Sequence, residues 1–256
     1  MFIRSFASIL CLTLSSWSLA DLVIKDYPVK DFSEFVASGE SQIEISQTGQ
    51  ESLRIEADSE VMKYVKVDQS GKKVSVWARK DGGFWDWFGN HDSLKIKVTL
   101  QVKNLEYLEL SGAADAKVAN LKGKSLYLSG SGAANGHFNN LNVEKLNVDL
   151  SGASNMDFQS INSQEQSFDL SGAANMDVKS ASSTEKLRAG ASGASNIRAE
   201  KLTVVAADLN ASGASHIEVS VTQDLEAEAS GASTINYYGS PKTRIQATGA
   251  SSVNAH

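Results

Sequence analysis

The sequence predicts an all-β protein, a right-handed parallel β-solenoid (β-helix) with coils of about twenty residues. A tetrad Ser/Thr-Gly-Ala-Ala/Ser recurs eight times between Ser111 and Thr248, at intervals of 18 to 21 residues. Around each copy, apolar and polar residues alternate with period two, which indicates strands with one buried face. Because one repeat cannot bury its own apolar side chains, successive repeats are expected to stack around a common core.

Alignment of the tetrads places apolar residues in fixed columns and polar residues between them, so each coil should hold two strands separated by a corner. Three residues before the Ser or Thr stand Leu108, Leu128, Val148, Phe168, Ala189, Leu209, Ala227 and Ile245. Five residues after it stand Ala116, Gly136, Met156, Met176, Ile197, Ile217, Ile235 and Val253. A further column predicts a short third side, formed by Leu121, Leu141, Ile161, Ala181 and Leu202.

The glycine of each tetrad is predicted to be the turn residue at the corner, because glycine adopts positive φ without a Cβ clash. These structural glycines are Gly112, Gly132, Gly152, Gly172, Gly193, Gly213, Gly231 and Gly249. The alanine after the glycine is expected to point inward. Asparagines recur four residues after the Ser and are expected to stack into a hydrogen-bonded ladder: Asn135, Asn155, Asn175 and Asn196.

Residues 21–104 carry the same alternation without the tetrad. We interpret them as irregular first coils of the solenoid, with a β-sandwich cap as the alternative. The expected division is therefore a signal peptide at 1–20, irregular N-terminal coils or a cap at 21–104, and the repeat solenoid at 105–256. Helical repeats are excluded, since no segment has the spacing of an amphipathic helix. A propeller is disfavoured, since a blade needs about forty residues.

The first twenty residues have the organisation of a secretory signal peptide. Arg4 is followed by an apolar stretch from Ile9 to Leu14 and by the small-residue site at Ser18-Leu19-Ala20. Cys11 is the only cysteine and lies inside this segment. The processed chain is therefore expected to be exported, without a disulfide or a transmembrane segment, to the periplasm or the cell surface of a Gram-negative-type bacterium.

Charge and motif content exclude several classes of function. The net charge is −6, and the basic residues form no stripe, which argues against nucleic acid as a partner. The four histidines have no metal-ligand spacing, and no serine lies in a nucleophile elbow, so no metal, cofactor or catalytic residue is predicted. Asp149 with Asp169, and Asp157 with Asp177, match the paired carboxylates of a polysaccharide-cleaving β-helix. A solvated outer face is the simpler interpretation of both pairs.

An aromatic cluster between two predicted strands is the candidate binding element. Phe84, Trp85, Trp87 and Phe88 lie in a segment bounded by glycines. Exposed aromatic side chains at this density suit a sugar ring, a partner protein or a membrane interface. The alternative is that they fold back onto the solenoid wall or cap its end.

Three stretches together resemble a known family. They are residues 31–39 (DFSEFVASG), the repeated Leu-x-Leu-Ser-Gly-Ala, and residues 237–241 (YYGSP). The chain is similar over nearly all of its processed length to the bacterial putative auto-transporter adhesin, head GIN domain family. The resemblance implies an envelope or secreted β-solenoid of unsettled function, for which the family's name suggests adhesion, and it brings no catalytic residues.

The sequence therefore favours a non-catalytic cell-envelope module that binds a glycan or a protein at the cell surface. A carbohydrate-active β-helix enzyme and a purely structural envelope protein are the alternatives. Open solenoid ends expose unpaired strand edges, so end-to-end self-association is expected at the last coil, near residues 248–253.

Overall fold

A computed structural model describes residues 21–79 and 94–256 of the chain. Nineteen strands in these ranges join into one hydrogen-bonded sheet that winds into a β-solenoid, which confirms the predicted fold class. The elements before the repeats are β1 (Leu22–Tyr27), β2 (Glu34–Gly39), β3 (Ser41–Gln47), β4 (Ser52–Asp58), α1 (Ser59–Met62), β5 (Val65–Ser70), β6 (Lys73–Ala78) and β7 (Ile96–Val102).

The repeats form the remaining strands, and all of their pairings with one another are parallel. They are β8 (Tyr107–Gly112), β9 (Asp115–Gly130), β10 (Asn135–Leu150), β11 (Asn155–Asn162), β12 (Glu165–Leu170), β13 (Asn175–Val178), β14 (Ser182–Ala191), β15 (Asn196–Ala211), β16 (His216–Ala229), β17 (Thr234–Tyr238), β18 (Lys242–Ala247) and β19 (Ser252–Ala255). No helix in the described ranges has the length and apolar composition needed to cross a bilayer.

Each coil has two broad sides. We call the side formed by the segment after each corner the first sheet, and the side formed by the segment before it the second sheet. Equivalent residues of successive coils lie in register, so that Val148 is flanked by Leu128 and Phe168. The inward columns are buried along the stack, and they include a stacked pair, Phe138 and Phe158, whose ring centroids are 4.9 Å apart. This continuous interior stabilises strands that could not bury an apolar face alone.

The corner of every repeat has the same backbone conformation. The eight tetrad glycines have φ between 70° and 77°. A Cβ built on Gly152 would lie 2.7 Å from the carbonyl oxygen of Gly132 in the preceding coil. The next residue, Ala153, donates its N–H to that same oxygen at 2.7 Å. Glycine is therefore required both for the positive φ and for the close contact between coils.

The expectation that the alanine after each glycine points inward is wrong. Ala113 and Ala133 are exposed, whereas the next residue, Ala114 or Ala134, is fully buried. Later coils place serine at this inward position, and Ser154 donates its hydroxyl to the carbonyl oxygens of Ser151 at 2.9 Å and Gly130 at 3.3 Å. A small residue is needed because the walls of the coil converge at the corner.

One member of the predicted third-side column is also wrong. Ala181 is exposed, and Ser182 occupies the inward place, in register with Leu202 and above Ile161. The hydroxyl of Ser182 accepts a hydrogen bond from the N–H of Ile161 at 2.9 Å. The displacement follows from the length of this coil, which has 21 residues between tetrads instead of 20.

The N-terminal region is stacked out of chain order. In the second sheet β2 lies between β6 and β8, and in the first sheet β3 lies between β7 and β9, all with parallel pairing. Beyond them, β4 is antiparallel to β7, β1 is antiparallel to β4, and β5 is antiparallel to β6. The same sheet thus continues across residue 104, with reversed strands at its N-terminal end. The division of the chain at that residue stays a prediction.

Candidate functional site

A groove of about 930 Å³ crosses the outer face of the second sheet, over the coils from β10 to β18. We call it the charged groove. Its basic side chains are Lys145, Lys186, Arg188, Lys242 and Arg244. Its acidic side chains are Glu165, Asp208, Asp224 and Glu226. These residues occupy the outward positions four and six residues before each tetrad, so the parallel register sets them in two columns.

Ion pairs join some of these groups between successive coils. Lys145 Nζ lies 2.9 Å from a carboxylate oxygen of Glu165, and the hydrogen bond between them holds the pKa of Glu165 below its usual value. The pairs Arg188 with Asp208, at 3.5 Å, and Arg244 with Glu226, at 3.8 Å, are longer.

Two lysines of the charged groove lack such a partner. Neither Lys186 nor Lys242 has a carboxylate within 4.0 Å among the residues that the structure describes. Exposed ammonium groups without an ion pair can bind an anionic group without first breaking an internal contact. These two lysines are therefore the strongest candidate contacts for an acidic ligand.

The floor of the charged groove contains a small residue. Ala206 lies in register between Lys186 and Asp224, so it interrupts the outer column with a methyl group. The register of β15 and β16 also shifts between Val204 and Ala206, which bends the sheet at this place. Beneath the groove the inward side chains of Leu187 and Leu225 are buried in the core.

A buried amide lies at the same floor. Gln166 is 3% exposed and takes an inward position that leucine holds in neighbouring coils, at Leu146 and Leu187. Its Nε2 donates to Ser163 Oγ at 2.8 Å, while its Oε1 has no hydrogen-bond partner among the described residues. A buried polar group in a column of leucines lowers the stability of the fold. Gln166 therefore distinguishes this coil from its two neighbours, and it does so beside the groove.

A second, shallower groove follows the serine column of the tetrads. It comprises two depressions of about 350 and 360 Å³, which share Asp169 and Ser192. Asp149 and Asp169 line it in register on adjacent strands. We call it the serine groove. It exists because the corners carry only small side chains beside these longer polar residues.

The carboxyl group of Asp149 has an unusual environment. Burial raises its pKa above the ordinary value of 3.8, and the negative charge of Asp169 raises it further. Tyr127 donates its hydroxyl to Asp149. The ring of Tyr127 stacks on that of Tyr107 with centroids 5.4 Å apart. Burial and a 2.7 Å hydrogen bond to Glu109 raise the pKa of Tyr107 to about 12.

The other predicted carboxylate pair is neutralised by basic side chains. Lys179 Nζ lies 3.2 Å from Asp157 and 3.5 Å from Asp177. His137 lies 3.2 Å from Asp157, and Arg198 lies 3.3 Å from Asp177. The outer face of the first sheet therefore carries a network of ion pairs at this position.

The predicted binding residues Phe84, Trp85, Trp87 and Phe88 lie outside the described residues. Their role in binding stays a prediction. The structure instead brings together Lys186, Arg188 and Gln166, which are not among the binding residues predicted from the sequence. Their signal was present in the sequence, because the outward columns of the second strand alternate in charge and one glutamine interrupts a leucine column.

Residues 31–241 match the family described as "Putative auto-transporter adhesin, head GIN domain". The chain belongs to this family. The matched range contains every strand from β2 to β17 and most of the charged groove, with Lys242 and Arg244 just beyond it. Comparison with curated proteins gave no match.

Solved structures share the fold of this head GIN domain protein. A putative adhesin from Parabacteroides merdae superposes with a TM-score of 0.80 at 20% identity, covering 92% of this chain and 96% of the other. A protein from Parabacteroides distasonis described as a putative lipid binding protein gives 0.81 at 19% identity, with coverages of 92% and 96%. A putative adhesin from the same organism gives 0.79 at 20% identity, with coverages of 93% and 98%.

Proposed function

We propose that this head GIN domain protein is an exported, non-catalytic binding module that holds an extended ligand on the outer face of its second sheet. The observation that carries the proposal is the charged groove, which crosses successive coils and sets charged side chains of both signs in register. Stacked coils repeat about every 4.8 Å, so the groove presents a regular series of contacts. Such a series suits a polymer better than a compact metabolite.

The charges of the groove indicate the chemistry of the ligand. Lys186 and Lys242, which form no ion pair within 4.0 Å among the described residues, can bind carboxylate, sulfate or phosphate groups, and Asp224 between them can accept hydrogen bonds from hydroxyl or amide groups. An acidic glycan carries both kinds of group along one chain. We therefore propose an acidic surface glycan as the ligand, with adhesion to a cell surface as the consequence.

Export supports the same proposal. The predicted signal peptide at residues 1–20 would take the chain out of the cytoplasm, and the family is described as an adhesin head. Protease shaving of intact cells, compared with fractionated periplasm, tests the location. Resistance of the protein in intact cells and its release with the periplasm would contradict a surface role.

Binding is tested on an array that holds matched acidic and neutral glycans. The variant Lys186→Ala/Arg188→Ala should weaken binding to acidic glycans by at least about tenfold, because two charge-assisted contacts are lost. The control is Lys66→Ala on β5, a cation near the opposite end of the solenoid, which should leave binding unchanged. Equal affinity of the three proteins, or binding that does not weaken with added salt, would overturn the proposal.

A carbohydrate-active enzyme is the second candidate, and the raised pKa of Asp149 beside Asp169 is the observation that favours it. A carboxyl with a raised pKa can act as a general acid at a glycosidic bond. Incubation with the acidic glycans that bind best should release no new reducing ends. If the wild type releases reducing ends and Asp149→Asn does not, the protein is an enzyme and the binding-module proposal is wrong.

A further inference from the structure

The two ends of the solenoid are protected to different degrees. At the N-terminal end, α1 follows β4, and its residues Val61 and Met62 pack against the core together with Tyr27. Lys25 of the outermost strand β1 pairs with buried Ile55, which places a lysine in an inward column. An inward charge on an edge strand opposes the addition of another strand. In the first sheet, this end therefore opposes further stacking.

The last coil has neither device. Its inward positions are Thr243, Ile245, Ala247, Ser251, Val253 and Ala255, none of which is charged. Ile245 stands in a column whose other members are buried, yet it is 42% exposed because no described residue covers it. Within the described residues, the inward columns of the solenoid therefore end on this coil without a cover.

The backbone of β18 and β19 is paired on one side only within the described chain. The N–H of Thr248 donates to Ala229, and the N–H groups of Ser252 and His256 donate to Ser233 and Tyr237. The backbone N–H and C=O groups of even-numbered residues therefore point toward the preceding coil. Those of odd-numbered residues in both strands point the other way along the stack, away from the preceding coil. Those groups offer a template for another pair of strands.

We propose that two copies of this chain join through their last coils, tail to tail, about a twofold axis perpendicular to both sheets. This axis places β18 antiparallel to β18 of the partner and β19 antiparallel to β19 of the partner, so strands of equal length meet. Joining head to tail would instead set β19 of the open coil against β1, where Lys25 faces inward. The self-pairing arrangement has no buried charge.

One register satisfies both the backbone and the side chains in the second sheet. With Ile245 on the axis, Ile245 faces the same residue of the partner, and Thr243 faces Ala247 of the partner. About six backbone hydrogen bonds then form between the two β18 strands. The outward side chains then place Arg244 opposite Gln246. A register centred on Arg244 would set two guanidinium groups directly opposite each other, which is unfavourable.

The first sheet accepts the same axis. Counted from the corner, Ile245 and Val253 are each the second inward side chain of the last coil, after Ala247 and Ser251. An axis through Ile245 therefore passes close to Val253. With Val253 on the axis, Ser252 faces Asn254 of the partner, and both are small polar residues that can hydrogen bond. The two sheets thus agree on one arrangement.

Sedimentation of the full chain over a range of concentration tests the proposal. The contact is small, so a dimer should form in the micromolar-to-millimolar range. Ile245→Lys should shift the midpoint at least about tenfold, because it buries a charge at the axis. The control Ile24→Lys changes an exposed isoleucine at the other end and should have no effect. A monomeric mass at about 1 mM, or loss of the dimer in the control alone, overturns the proposal.

A charge substitution separates this contact from a loss of folding. Gln246→Arg sits beside Glu228 of its own chain, where it adds an attractive contact, but opposite Arg244 of the partner, where it adds repulsion. It should therefore weaken the dimer severalfold while leaving the melting temperature unchanged or higher. Stronger association in this variant would contradict the register.

Covalent trapping tests the symmetry. In a Cys11→Ser background, Ile245→Cys should form a disulfide-linked dimer under mild oxidation, because opposed residues of a hydrogen-bonded antiparallel pair are about 5.5 Å apart between Cα atoms. Ile24→Cys in the same background should remain a monomer. Equal cross-linking of both variants, or of Ile24→Cys alone, overturns the tail-to-tail arrangement.

Discussion

At the scale of single residues, the tetrad has two constrained positions, and they differ in which substitutions they tolerate. Gly152 has a φ of 70°, and any Cβ there meets the Gly132 carbonyl oxygen of the preceding coil. Ser154 is fully buried, but Ala134 and Ala174 occupy its place in the coils on either side. The glycine position is fixed by backbone geometry, whereas the serine position requires only a small side chain.

Gly152→Val should therefore destabilise the protein far more than Ser154→Ala. Valine at a positive φ is strained and its Cβ clashes with backbone, which together cost about 2–6 kcal/mol. Removal of the Ser154 hydroxyl costs about 1 kcal/mol or less, since the carbonyl of Gly130 keeps the N–H of Ser151 as a donor. Thermal unfolding followed by circular dichroism compares the two. Equal melting temperatures would contradict the assignment of the glycine to a constrained corner.

Asp149 gives a prediction on pH. Its pKa is raised in the folded state by burial and by Asp169, so folding favours the protonated form. Its contribution to stability is present below the ordinary pKa of 3.8 and is lost as the pH rises through the raised value. Asp149→Asn should therefore raise the melting temperature at pH 7, by the equivalent of about 0.2–1 kcal/mol for a relieved like-charge pair.

The gain from Asp149→Asn should disappear as the pH falls below the carboxyl pKa, where the wild type is protonated as well. Asp157→Asn is the matched control, because Asp157 is paired with Lys179 and His137. Its melting temperature at pH 7 should stay level or fall. A gain in the control, or a gain for Asp149→Asn that grows at low pH, would contradict the cause assigned to the shift.

At the scale of elements, the asparagine ladder links one strand from each of four coils. Asn155 Nδ2 donates to Asn135 Oδ1 at 3.0 Å, Asn175 to Asn155 at 3.0 Å, and Asn196 to Asn175 at 2.8 Å. The expected ladder is thus present. Each interior member both donates and accepts, so the row fixes the register of the corners from coil to coil.

Asn175→Ala should cost about 1–2 kcal/mol, because it removes the amide bonds to both neighbouring asparagines. Asn147→Ala is the control, since Asn147 is exposed on the second sheet. It should change the free energy of unfolding by less than about 0.5 kcal/mol. Chemical denaturation measures both, and a loss in the control as large as in Asn175→Ala would show that the ladder adds nothing.

The parts of these elements that the sequence could predict depend on the period-two pattern alone. Leu110, Leu150 and Leu170 face the core as the alignment requires, because alternation determines which side of a strand is buried. Alternation carries no information on strand direction, so the reversed strands β1, β4 and β5 could not be predicted. The inward position moves from Ala181 to Ser182 because this coil is one residue longer, and the alternation alone does not show where the extra residue lies.

The candidate site was harder to predict for the same physical reason. Charged residues on an exposed strand face look alike whether they bind a ligand or only meet solvent. The charged groove depends on Ala206 and on the register shift beside it, and a shift between strands is a property of two coils together. No single repeat encodes it.

At the scale of the whole molecule, the twofold arrangement proposed for the last coils would place both charged grooves on the same side. The axis perpendicular to the sheets continues the second sheet of one copy into the second sheet of the other. A dimer would then offer two grooves to one surface, and a polymer that reached both would bind with higher avidity than a single groove allows. Immobilised glycan at high density should therefore bind the wild type more tightly than Ile245→Lys, while free monovalent fragments should not distinguish them.

The same linear architecture determines where the molecule opens first. Each coil contacts only the coils above and below, so local stability is a sum of nearest-neighbour terms. The coil of β18 and β19 has one neighbour in the monomer, whereas β10 is paired on both sides along its length. Amide exchange should therefore be fastest in residues 242–255 and slowest near 135–150, with β1 and β5 intermediate because α1 and the reversed strands cover that end.

Raising the protein concentration should slow exchange in residues 243–247 and leave β1 unchanged, since only the open coil gains a partner. Uniform protection along the stack would contradict both the nearest-neighbour account and the open end.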